Sequence, residues 1–192
     1  MVSIDTGTDD LLATVENGIA VITLNRPEAR NAMSGPMNEA LKQSLENFEV
    51  NPEVKVVVLT GAGKGFCAGG DVKGMNATNS SGDGRVATLD ERIASQRINQ
   101  RATSGKLFKM PKPTIAALPG AAAGAGLSLA LACDMRIMAS NAILTTAFAR
   151  VGFSGDYGGT YFMTQLVGSA KARELYYLSD RVSAESALDL GL

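Results

Sequence analysis

Gly65-Phe66-Cys67-Ala68-Gly69-Gly70-Asp71-Val72 and Pro119-Gly120-Ala121-Ala122-Ala123-Gly124-Ala125-Gly126-Leu127 decide how this chain is read. Both are built almost entirely of small residues. Each follows a run that reads as a buried strand, residues 54–60 before the first and Thr114–Leu118 before the second. The first run is continuous and β-branched, the pattern of a strand covered on both faces in a parallel sheet. Where such strands end in small residues, backbone N–H groups are left with no bulky side chain over them. Two such loops brought together can direct two N–H donors at one carbonyl oxygen. That arrangement is an oxyanion hole, often the largest single term in acyl-type catalysis.

Elements on either side follow from local signals. Leu11–Glu16 and Ile19–Leu24 flank Asn17-Gly18, a strong short-range hairpin signal. Ser34 reads as an N-cap with Pro36 in the first turn, and Met37, Leu41, Leu45 and Phe48 follow at helical spacing. Gly61-Ala62-Gly63-Lys64-Gly65 reads as a tight turn. It is neither a dinucleotide fingerprint, since Phe66 holds the last position, nor a P-loop. Residues 76–84 are polar and read as a mobile surface loop. One long helix is expected over 86–107, ending before Pro111, then a helix over 127–133 that begins near Gly124. Strands are expected at 134–139 and Ile143–Thr145, helices at 160–166 and 170–178, and a last helix from Ser183. Alternating strands and helices give an α/β fold.

Composition narrows the function classes. The 192 residues suit one domain, 1–192, with a real core. Hydrophobic residues make up 45% and charged residues 19%, an ordinary globular balance, and the net charge of −1 gives no footprint for nucleic acid. Residues 115–133 carry no charge, but Pro119 and three glycines favour strand, loop and buried helix over a membrane span. No apolar leader follows Met1, and Cys67 and Cys133 form no CxxC, so a reducing cytoplasm is the expected compartment. With no histidine anywhere, Ser-His-Asp and Cys-His catalysis are excluded and the commonest metal ligand is missing. No metal site is expected.

Three segments in order carry a resemblance: Asn25-Arg26-Pro27-Glu28-Ala29-Arg30-Asn31-Ala32, then Phe66 to Val72, then Gly120 to Asp134. Together they resemble the signatures of the crotonase (enoyl-CoA hydratase/isomerase) superfamily, over nearly the whole chain from about Leu11. The resemblance implies a spiral of ββα units with the active site between turns. It also implies an acyl-CoA thioester substrate, no cofactor beyond the coenzyme A moiety, and a homotrimer or hexamer. Relatives usually continue with a helical layer that is missing after Leu192, so a fragment is expected.

By the same resemblance, the oxyanion donors are the amides of Ala68 and Ala125. The coenzyme A groove is lined by Glu28, Ala29, Arg30, Ala68, Gly69, Gly70 and Asp71. Arg26, Arg30 and Lys73 are candidate phosphate partners. The two positions that carry acids in hydratases hold Ser128 and Phe148 here. One acid remains well placed, Asp156 in Gly155-Asp156-Tyr157-Gly158-Gly159, where isomerising members carry a catalytic aspartate. One carboxylate can take a proton from one carbon and return it at another. The competing role for Asp156 is to cap the helix that follows. Asp71 is expected to be structural, bonding loop amides, and Cys67 a small buried hydrophobe. Asp134, at a helix end where an acid is unfavourable, needs a structural partner. The expected activity is therefore enoyl-CoA or ring-type acyl-CoA isomerisation. The alternatives are an enoyl-CoA hydratase, or a catalytically weak acyl-CoA-binding protein.

Overall fold

The computed structural model describes residues 1–71 and 87–192. The expected loop at 76–84, Val72, Lys73 and the start of the helix expected from Val86 lie outside the described residues.

Asn17 and Gly18 both take positive φ, 51° and 83°, and join β2 (Leu11–Glu16) to β3 (Ile19–Leu24) with Glu16 opposite Ile19. This is the two-residue hairpin that Asn-Gly favours. β1 (Val2–Ile4), not anticipated, adds antiparallel to β2. β4 (Val56–Gly61), β5 (Thr114–Leu118) and β7 (Met135–Met138) then add in parallel, so the main sheet runs β1-β2-β3-β4-β5-β7. β4 buries alternate residues completely and leaves the others half-buried. β7 is the edge and exposes Met135 and Ile137.

A second sheet pairs β6 (Ala122–Ala123), β8 (Ile143–Thr145) and β9 (Val182–Ser183). Cys67 extends it through a parallel bridge to Ala122. The chain therefore repeats one move: a strand in the main sheet, a short strand or bridge in the second, then helix. β4 with Cys67, β5 with β6, and β7 with β8 are three successive turns of a ββα spiral.

Helices fill the turns. α1 (Gly35–Val50) starts at Ser34, whose Oγ accepts from the Met37 N–H at 3.1 Å, and it buries Met37, Leu41, Leu45 and Phe48. The single helix expected to end at Leu107 is two, α2 (Leu89–Ala102) and α3 (Ser104–Lys109). The Thr103 and Ser104 hydroxyls donate to the carbonyls of Asn99 and Gln100, and Thr103 leaves helical geometry at φ −112°, ψ −89°. Hydroxyl back-bonding of this kind bends a helix. α4 (Ala125–Ala132) is buried along its whole length. α5 (Gly159–Leu178) is broken at Gly168 (φ 76°), which matches the two helices expected there. α6 (Ala184–Leu190) is capped by Ser183.

Asp134 has its partner. Its Oδ2 accepts from the Thr114 N–H at 2.7 Å and the Thr114 hydroxyl at 2.8 Å, and its own N–H donates back to that hydroxyl. The end of α4 is thereby tied to the first residue of β5.

Successive turns of the spiral meet at Gly126. A Cβ there would stand 2.5 Å from the Cys67 carbonyl oxygen and 2.6 Å from the Cys67 Cβ. Neither atom is the far end of a flexible side chain. Gly126→Ala is expected to lower stability by about 1–3 kcal/mol through overpacking, read as a fall in the urea midpoint. An unchanged midpoint would show that the turns do not meet as described.

Candidate active site

The two small-residue loops meet edge to edge. Phe66 and Cys67 N–H groups both donate to Ala121 O, at 3.0 and 3.2 Å, and Ala123 N–H donates to Cys67 O at 2.9 Å. On its other side the first loop is held by the segment after β3, where Met33 N–H donates to Gly69 O at 2.8 Å. Gly69 sits at φ 98°, and a Cβ on it would press on Ala123 O at 3.1 Å and stand 3.4 Å from Ala125 N. Glycine at 69 therefore satisfies the backbone and also keeps the start of α4 uncovered.

Ala125 is the first residue of α4, where an N–H has no intrahelical acceptor and the helix dipole is positive. Its N–H is the better placed of the two expected donors. The Ala68 N–H is engaged, donating to Arg30 O at 3.0 Å. Arg30 and Asn31 both hold positive φ, 53° and 54°, and this turn carries the Arg30 carbonyl to the loop.

Sequence reading missed what fixes that turn. Asn31 is fully buried, its Nδ2 donates to Ala62 O and Gly65 O, both at 2.9 Å, and its Oδ1 accepts from the Arg26 N–H. A buried amide with these bonds satisfied locks the segments that carry it. The only signal in the chain was an asparagine, which tolerates positive φ, after Arg30.

One assignment is corrected. Arg26 does not face outward for a phosphate. Its guanidinium donates to Ala32 O and Asp71 Oδ2, both at 2.9 Å, and lies 3.7 Å from Asp10. Asp71 is thereby held in a structural ion pair with this arginine. Of the residues assigned to the coenzyme A groove, Glu28, Arg30 and Ala68 are exposed and lie on the two segments joined by the Ala68–Arg30 bond. Cys67 is fully buried and its thiol is pushed up to about 12 by that burial, which makes it inert as a nucleophile.

Asp156 does not cap α5. The N-cap is Gly158, and Gly159 N–H is taken by the Asp156 backbone carbonyl. The carboxyl group is half-buried, and Oδ1 is shielded from solvent without a hydrogen-bond partner among the described residues. Desolvation raises its pKa from the ordinary 3.8 to about 6. Ser128, one turn into α4, donates from Oγ to Asp156 O at 3.1 Å, so the Asp156 loop is tied to the same helix that begins with the Ala125 N–H. Phe148 is buried and stacked on Tyr176, with centroids 6.0 Å apart and ring planes 5° apart. A cavity of about 270 Å³ lies beside this cluster between α5 and residues 149–154, and Tyr176 lines it while Asp156 does not.

An N–H at a helix start, a neighbouring loop N–H and one desolvated carboxyl group are the kinds of group that moving a proton next to a polarised carbonyl requires. The family described as enoyl-CoA hydratase/isomerase matches residues 14–192. This chain belongs to that family. The 1,2-epoxyphenylacetyl-CoA isomerase of Escherichia coli (strain K12) is 36% identical over 182 residues, covering 95% of this chain and 67% of the relative. The short-chain-enoyl-CoA hydratase of Clostridium acetobutylicum is 32% identical over 185 residues, covering 96% and 67%. The crystal structure of an enoyl-CoA hydratase from Polaromonas sp. JS666 superposes with a TM-score of 0.83 at 38% identity, covering 94% of this chain and 68% of that one. The chain thus spans about two thirds of the length of these family members. Among the described residues, no helix is long and apolar enough to cross a membrane.

The Asp156 shift has a stability consequence. A folded-state pKa raised from 3.8 to about 6 means the fold prefers the neutral carboxyl. Stability is therefore lost as pH rises between those values and the charge is forced into the site. Asp156→Asn removes that charge. Its stability relative to wild type is expected to grow between pH 4 and pH 7 and to level off above, read by thermal unfolding across that range. A difference independent of pH would contradict the burial of this carboxylate.

Proposed function

We propose that this chain acts on acyl-CoA thioesters as an isomerase, relocating a proton through an enolate. The observation that supports this most is Asp156: a desolvated carboxyl group with an oxygen unpartnered among the described residues, tied to the helix that begins with the Ala125 N–H. Ala125 N–H is the principal donor to the thioester oxygen, strengthened by the dipole of α4. Ala68 N–H joins it by exchanging the Arg30 carbonyl for the thioester oxygen. The enolate charge then lies on oxygen, and Asp156 removes a proton from one carbon and returns it at another. A pKa of about 6 leaves the group ionised at neutral pH and close enough to it for both steps. Coenzyme A lies along Glu28, Ala29 and Arg30 and the loop from Ala68 to Asp71.

Hydration is the second reading, since the Clostridium acetobutylicum relative is a hydratase. It asks for water activation and proton delivery from separate groups, and Ser128 and Phe148 supply neither acid. The wild-type chain is expected to turn over a 3-enoyl-CoA faster than it hydrates a 2-enoyl-CoA. Its kcat/KM should rise with pH through about 6 as Asp156 ionises. Asp156→Asn should abolish turnover while acyl-CoA affinity stays within about threefold, because uniform binding is untouched. Faster hydration, or an active Asp156→Asn variant, overturns the assignment. Ester binding with no turnover would make the chain an acyl-CoA-binding protein.

We infer assembly with further copies of the chain, as trimer or hexamer. Support comes from the large apolar side chains exposed on the last turns of the spiral, Ile137, Phe153, Leu178 and Leu188 among them. Sedimentation should give a mass of three or six chains, and a monomer at all concentrations would contradict it.

A further inference from the structure

Ser128 and Phe148 do more than replace two acids. Ser128 has one hydroxyl hydrogen, and it points at backbone carbonyls, Asp156 O at 3.1 Å and Gly124 O at 3.3 Å. The Tyr176 hydroxyl lies alongside the Ser128 hydroxyl and interacts with it. The two hydroxyl oxygens converge on one point: a Cβ on Gly159 would stand 2.3 Å from Ser128 Oγ and 2.4 Å from Tyr176 OH. The rest of the Tyr176 ring lies under the other end of the same loop, where a Cβ on Gly155 (φ 111°) would meet Cε1 at 3.0 Å. Behind the ring stands Phe148, parallel to it, with its own edge 3.8 Å from the Cβ position of Gly124, the N-cap of α4.

We infer that Tyr176 is a positioning residue for Asp156, acting through Ser128. The ring is the floor on which the Gly155 to Gly159 loop rests, and Phe148 fixes the ring against the N-terminus of α4. The hydroxyl holds the Ser128 side chain so that its proton is directed at the Asp156 carbonyl. Asp156 is thereby set relative to the Ala125 N–H, because Ser128 lies three residues after Ala125 on the same helix. The two positions where the resemblance places hydratase acids are used to hold a carboxylate supplied from elsewhere. The glycines at 155 and 159 follow from this, since any side chain there would displace Tyr176 or Ser128. Among the described residues, the titratable side chains coupled to Asp156 are Tyr157 and Tyr176, both neutral at pH 7.

This inference rests on the isomerase reading for its kinetic consequence but not for its structural one, and the test separates them. Tyr176→Phe keeps the ring and the Phe148 stack and removes only the hydroxyl, and Ser128→Ala removes the other half of the link. Each should lower kcat by about 10–100-fold with KM within about twofold, since displaced catalytic geometry costs on that scale. The double variant should be no slower than the slower single one, because both cut the same chain of contacts. Independently of activity, a carbon-13 NMR titration of the Asp156 carboxyl group should give a value near 6 in wild type. In either variant it should fall toward the ordinary carboxylate range as water enters the loosened loop. A purely structural role would lower the melting temperature without moving kcat apart from KM or shifting the titration. If Asp156→Asn abolishes turnover but both variants keep wild-type kcat and titration, the inference is wrong and the isomerase reading stands. If the wild type isomerises nothing yet the titration shifts in the variants, that reading is wrong and the positioning role stands.

Discussion

Cys67 and Ala121 to Ala123 hold the spiral together. Two backbone hydrogen bonds join them, a third comes from Phe66, and Gly126 lets the next turn close to within contact of Cys67 itself. Everything chemical hangs on this seam. It brings the end of β4 beside the start of α4, and so brings the Ala68 loop beside the Ala125 N–H. The pairing requires small residues on both sides, since backbones can approach this closely only where no Cβ intervenes. The uncharged, alanine-rich composition of residues 115–133 is therefore a packing requirement of two turns in contact.

Around that seam, polar groups are spent on architecture. Arg26 is held by Asp71, Asp10 and the Ala32 carbonyl, and Asn31 is bonded through both its amide atoms. These networks fix the Arg30–Asn31 turn, and that turn supplies the carbonyl that occupies the Ala68 N–H. A cation in such a bonded setting is not available to a phosphate. Fully satisfied networks of this kind give rigidity and register.

Asp156 is the exception, and its environment explains why. One oxygen of this carboxyl is enclosed and has no hydrogen-bond partner among the described residues. Its shift comes from desolvation alone, with no charged neighbour involved. A carboxyl group left in that state costs stability, and such groups cluster where proton transfer is needed. The loop that carries it can be short and glycine-rich because its rigidity comes from beneath, from Tyr176 and Ser128, rather than from its own side chains.

Much of this could be read from residue order. The Asn17-Gly18 hairpin, the Ser34 cap, the small-residue loops at strand ends and the absence of histidine are local or compositional facts. They set the fold class, the family resemblance and the choice of Asp156, because turn chemistry and close backbone approach depend on residue type at a few adjacent positions. Other features depended on distant residues meeting. The Thr114–Asp134 clasp, the use of Arg26 by Asp71, the break at Thr103 and the two-residue strands β6 and β9 gave no local signal strong enough to read. Tyr176 is the clearest case: in the chain it is one more helical aromatic, twenty positions past Asp156. Its role exists only because the spiral returns α5 against α4 and the Asp156 loop. The residue types determined which groups this chain can use; the tertiary structure decided which were free to act, because burial and partnership are set by neighbours the sequence order does not name.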